Sequence, residues 1–134
     1  MDYSRKFLIS VLKNVDSIAI VGASSNPERD SYKVMKYLYD NGYSVYPVNP
    51  NETDNEILGQ RCFSNIKEIN TKIDMVDIFR AKEFIMDITK DAINLNVDVI
   101  WTQEGLVDKK SAELAKNAGI LFIMNECPKK ILNN

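Results

Sequence analysis

The sequence predicts a three-layer α/β fold: a five-stranded, mainly parallel sheet with helices on both faces. Two observations carry this. Short, continuous apolar runs recur along the chain, and segments of helical period separate each run from the next. Apolar strands that alternate with amphipathic helices require a sheet buried on both sides and joined by right-handed crossovers. A chain of 134 residues can bury roughly two-thirds of its unfolded surface. One domain over residues 1–134 is therefore expected, with no internal repeat or linker.

Residues 3–13 place Phe7, Leu8, Val11 and Leu12 at helical spacing, and Ile18, Ala19, Ile20 and Val21 follow as a buried strand. The run stops at Gly22 and a polar loop to Asp30, after which Val34, Met35, Leu38 and Tyr39 resume the helical period. Asn41 and Gly42 close that helix, and residues 43–48 supply the second strand. The polar stretch 51–60, then Arg61, Cys62, Phe63 and the short amphipathic segment 66–69, read as excursions off the sheet. Residues 74–79 form the third strand, 82–95 the next helix and 97–101 the fourth strand. Asp108 caps a helix through Asn117, Ala118 and Gly119 end it, and residues 120–124 are the fifth strand before a terminal segment, 127–132.

The formal net charge is -2 with the two signs mixed along the chain, so no basic face is offered to a nucleic acid. No apolar run approaches the ~20 residues of a membrane span, and the first residues alternate polar with apolar instead of forming a signal core. A cytoplasmic protein with no membrane partner is expected. The two cysteines, Cys62 and Cys127, lie far apart without a CxxC spacing, which suits a reducing compartment and no metal site. Histidine is absent, which removes Ser-His and Cys-His nucleophile pairs and imidazole ligands together.

Ligands of doubly wound sheets sit beyond the carboxyl ends of the strands, so the loops there hold the candidate site. In the first, Gly22, Ala23, Ser24, Ser25 and Asn26 are small enough for backbone N–H groups to approach an anion at the positive end of the next helix. Arg29 and Lys33 add full charges. The same residues also suit a plain capped helix. As a dinucleotide fingerprint the loop is poor, because Ser24 and Pro27 stand where GxGxxG needs glycines. Asn49 stands where a ribose-binding acid is expected, although Glu52 and Asp54 nearby keep NAD open.

Taken in order, GASSNPERDSYKV, YPVNPN, GQRCF, VDIFR, WTQEG and CPKK resemble the small CoA-binding protein family. Its Rossmann-like fold is that of the CoA-binding domain of the succinyl-CoA synthetase α chain. The likeness runs from Ser17 to Lys130. It implies that Gly22, Ala23, Ser24, Ser25 and Asn26, with Arg29, Ser31, Tyr32 and Lys33, surround the phosphates of coenzyme A. It also implies that Val48, Asn49, Pro50, Phe79 and Arg80 flank the adenosine, and that Gln103, Glu104 and Gly105 line the pantetheine path. Thr102 and Glu104 depart from the apolar residues usual in the small family and look closer to the Thr-Glu-Gly turn of the synthetases.

Each position has a plainer alternative. Asn49 and Pro50 suit a turn, Phe79 and Trp101 suit core aromatics, and Arg80 could pair with Asp77 or Glu83. Cys127, followed by Pro128, begins the terminal helix, where the dipole would activate its thiol for a mixed disulfide with the coenzyme. The other reading of Cys127 is a small apolar residue packed under the last strand.

Synthetases of this fold pass a phosphoryl group through a histidine in further domains, and this sequence has no histidine. The resemblance thus implies a module that binds coenzyme A or a short acyl-CoA without catalysis of its own, as a sensor, carrier or redox partner. The alternatives are an NAD(P)-dependent oxidoreductase, an acyl-CoA-transforming enzyme with Glu104 as base, and an interaction protein built on the first helix. Homo-oligomerisation is left open.

Overall fold

The computed structural model describes residues 3–133. Helix α1 (Arg5–Lys13) starts where Ser4 Oγ accepts the Phe7 N–H, and it buries Leu8, Val11 and Leu12. It leads into β1 (Ser17–Val21), all five residues of which are buried. Helix α2 (Asp30–Asp40) and β2 (Ser44–Val48) complete the first βαβ unit. After a hairpin of β3 (Glu56–Ile57) and β4 (Gln60–Arg61) come β5 (Met75–Ile78), α3 (Ile85–Asn94) and β6 (Val99–Thr102). Helix α4 (Lys109–Asn117), β7 (Leu121–Ile123) and α5 (Pro128–Leu132) follow.

The main sheet is wholly parallel, in the order β2-β1-β5-β6-β7. Counting only its own strands, that is 2-1-3-4-5, a doubly wound order that reverses between β1 and β5 and opens a crevice there. Side chains alternate between two layers. Ile18, Ile20, Met75, Val99, Trp101 and Ile123 pack with α1 and α2, whereas Ala19, Val21, Val76, Ile78, Ile100 and Phe122 pack with α3 and α4.

The expected elements are present, and three details differ. Residues 51–63 are more than an excursion: β3 and β4 pair antiparallel, and Phe63 bridges Val48 in parallel, so the segment seals the outer side of β2. Leu58 at φ 52° and Gly59 at φ 75° make that hairpin turn, which no alternating apolar pattern announced. The helix expected over 82–95 begins as a separate 3-10 turn, Lys82–Phe84. Asp108 does stand at the start of α4, but its carboxylate accepts the Ser111 hydroxyl at 2.8 Å and no backbone N–H.

Candidate functional site

At the reversal point the chain leaves β1 through Gly22 and β5 through Phe79, and the two loops touch. Gly22 has φ +92°, and a Cβ there would meet the Phe79 backbone carbon at 3.0 Å, so only glycine permits this approach. Beside that contact lies a cleft of about 560 Å³. It gathers eight of the residues expected at the site: Gly22, Ser24, Arg29, Ser31, Asn49, Phe79, Gln103 and Glu104. Glu28, Asp30 and Leu106 also line it and were missed. Glu28 and Asp30 flank Arg29 in sequence, and Leu106 follows the Gln103, Glu104, Gly105 turn, so adjacency was the available signal.

Most of the first loop's amides serve the fold. The Gly22 and Ala23 N–H groups both donate to the Val48 carbonyl, at 2.8 and 3.2 Å. Ser25 gives its N–H and its hydroxyl to the two oxygens of Glu52, at 2.7 and 2.8 Å. Asn26 N–H goes to Ser24 Oγ, while the Asn26 side chain and carbonyl take the N–H groups of Glu28 and Arg29. The donors that remain are the Ser24 N–H and those at the start of α2, where Arg29 occupies the cap position and its side chain accepts nothing from the first turn. Among the described residues, the Arg29 guanidinium belongs to no ion pair. A helix start without a cap and a free guanidinium together favour an anion at this end. The carboxylates of Glu28 and Asp30 stand at the same mouth and outnumber the one guanidinium, so the attraction for an anion there rests on Arg29 and the helix start and not on net charge.

Asn49 lines the cleft, yet its side chain is committed: Nδ2 donates to the Ala23 carbonyl at 2.8 Å and Oδ1 accepts the Asn51 N–H. Glu52, the acid that could have held a dinucleotide ribose, is spent on Ser25 and Asn55. Those Ser25 bonds hold its carboxyl below the usual carboxylate range.

Gln103, which also lines the cleft, is only 8% exposed and its Oε1 has no donor. Glu104 pairs with Lys130 at 2.8 Å, and burial, with Glu104 close by, raises the Glu126 carboxyl. Below the cleft floor, Asp77 sits between Ile20 and Trp101 in the strand register. It is fully buried, neither carboxyl oxygen has a partner, and burial pushes its acidity far toward the protonated form. Nothing in the sequence marked it as unpaired.

The remaining expected residues are elsewhere. Tyr32 and Lys33 line a separate groove with Lys36 and Lys129. Val48, Pro50 and Arg80 border a pocket of about 140 Å³ on the other side of the crevice. Arg80 stacks on the Phe84 ring at 4.0 Å; it pairs with neither Asp77 nor Glu83. Ala23 is buried, Ser25 and Asn26 are exposed, and Gly105 donates its N–H to Asn125 Oδ1 at 2.7 Å. Cys127 caps the short α5 but is only 5% exposed within the core, with Pro128 buried next to it, which matches the packing reading of that cysteine.

The strand order and the polar cleft at its reversal define a doubly wound α/β domain with a polar crevice beyond its strand ends. Comparison with known proteins makes this specific: residues 16–133 match the CoA-binding domain model, and the chain belongs to that family. It is 36% identical over 126 residues to the uncharacterized protein YneT of Bacillus subtilis, covering 94% of this chain and 92% of that one. It is 30% identical over 96 residues to the alpha subunit of ADP-forming acetate–CoA ligase I of Pyrococcus furiosus, covering 69% of this chain but 21% of that one. The solved structure of a hypothetical protein from Pyrococcus horikoshii OT3 has a TM-score of 0.92 at 34% identity, covering 98% of this chain and 91% of that one.

Proposed function

We propose that this chain binds coenzyme A or a short acyl-CoA in the cleft beyond β1 and β5, as a cytoplasmic binding module with no catalytic step of its own. The observation that carries this is the cleft's polar lining: Arg29 and the open start of α2 share it with Gln103, whose side-chain oxygen has no partner. The pyrophosphate belongs at the start of α2, where the Arg29 guanidinium and amide donors converge. The adenosine reaches across the crevice toward Arg80 and Phe84, and the pantetheine arm runs toward Gln103, whose oxygen accepts an amide N–H. The family supports the ligand class, and the acetate–CoA ligase relative is a protein whose own name includes the coenzyme.

Calorimetry with CoA, acetyl-CoA, NAD and NADP at matched salt tests this. Saturable heat with the CoA ligands and none with the nicotinamide dinucleotides is expected; the reverse pattern overturns the reading.

A further inference from the structure

The rim of the coenzyme cleft is negatively charged on balance. Glu28 and Asp30 flank Arg29 in sequence and line the cleft with it, and Glu104 lines it from the loop after β6. Lys130 pairs with Glu104 at 2.8 Å. Glu104 first, and Asp30 more weakly, hold the Lys130 ammonium in its charged form, so these groups stand around one mouth. With Glu104 offset by Lys130, two carboxylates face one guanidinium. Among the described residues, neither the Glu28 nor the Asp30 carboxylate enters an ion pair. Phosphate oxygens set beside unpaired carboxylates are repelled by them. One guanidinium and a helix start must overcome that repulsion unaided, or a cation must enter with the ligand.

That the cleft holds a ligand is indicated independently by Gln103, which lines it, is 8% exposed and leaves its Oε1 without a donor. The chain has no histidine and both cysteines are buried, so a cation at this rim meets oxygen donors only, the preference of a hard ion. Magnesium is commonly held by one or two carboxylates together with the phosphates of a ligand and several waters. Among the described residues, no three acidic or cysteine side chains converge to hold an ion by themselves. The two carboxylates at the start of α2 therefore need the phosphates to complete a coordination shell.

We propose that this chain takes its nucleotide as a magnesium complex, with Glu28 and Asp30 holding the ion or its waters against the pyrophosphate while Arg29 and the first amides of α2 hold the phosphate oxygens. The inference rests on the coenzyme reading of the cleft and adds to it the ion that cancels the excess charge of the rim. Ion and nucleotide then bind together, and each strengthens the other by the same factor.

Calorimetry with CoA in magnesium chloride, and in EDTA with potassium chloride added to equal ionic strength, reads the proposal. Matching the ionic strength removes simple screening. Affinity is expected to rise about tenfold with magnesium, a usual size for coupled binding. Equal affinity in the two buffers overturns the metal site and leaves the coenzyme reading standing, whereas no binding in either buffer overturns both. Dephospho-CoA, which lacks the 3′-phosphate, should keep the gain; a gain lost with that phosphate puts the ion elsewhere and refutes the assignment. The double variant Glu28→Gln, Asp30→Asn should lose the gain and, in EDTA, bind CoA more tightly than wild type because the repulsion is gone. A gain that survives the variant, or a variant weakened equally in both buffers, refutes the role of these carboxylates. With manganese as the probe, the free-ion electron paramagnetic resonance signal should fall further with protein and CoA together than with either alone.

Discussion

Glu52 holds Ser25 by two hydrogen bonds at once, one from the backbone N–H at 2.7 Å and one from the hydroxyl at 2.8 Å. This fastens the loop after β1 to the turn after β2, the two segments that frame the crevice. Glu52→Gln keeps the shape but cannot accept both, and should cost about 1 kcal/mol. The carboxyl is held below its unfolded value, so its contribution is present above the unfolded pKa and is lost as pH falls through the folded one. Denaturant melts at neutral pH and in the acid range check this: the gap between wild type and variant should close in acid, and a constant gap removes the ionic account.

Asp77 works in the opposite sense. Its folded carboxyl resists ionisation, so the stability it leaves intact below the unfolded pKa is lost as pH rises from there toward the folded value. Asp77→Asn has no proton to lose. Its unfolding free energy should therefore fall less than wild type as pH rises above the unfolded carboxylate value of about 4, as measured by chemical denaturation. Parallel pH curves for the two proteins would show that Asp77 ionises freely.

Gly22→Ala must place a methyl group within 3.0 Å of the Phe79 backbone and hold a non-glycine residue at φ +92°. We expect a loss of about 1–3 kcal/mol. Because the loops of β1 and β5 would separate, CoA affinity should fall together with the melting temperature. Thermal melts and calorimetry read both, and an unchanged affinity would mean that this contact does not shape the cleft.

Arg29 and Lys33 are one helical turn apart, yet only Arg29 lines the cleft. Arg29→Gln should weaken CoA binding roughly tenfold to a hundredfold, the range for a hydrogen bond to a charged group. Lys33→Gln should do much less. Equal losses would mean that the phosphates lie over the groove of Tyr32 and Lys33.

The fold was largely legible because parallel strands buried on both faces appear as unbroken apolar runs, as at Ile18 to Val21. The hairpin at residues 56–61 was not, because each of its strands is two residues long, too short for a period. For the site, position along the strands brought eight of the named residues to one cleft. What sequence could not give is which polar atoms the fold uses for itself. Ser25 and Asn49 suit a ligand as well as they suit Glu52 and Ala23, and only the folded arrangement separates the two. The vacancy at Asp77 is likewise a matter of neighbours, set by Ile20 and Trp101 on the adjoining strands.

The seal that Phe63 lays along β2 limits how copies of this chain can add to one another. Fibre growth by strand stacking needs two accepting flanks on every subunit, and a subunit with one flank closed terminates the series after a single addition. Crowding or high expression should therefore not drive elongated polymers.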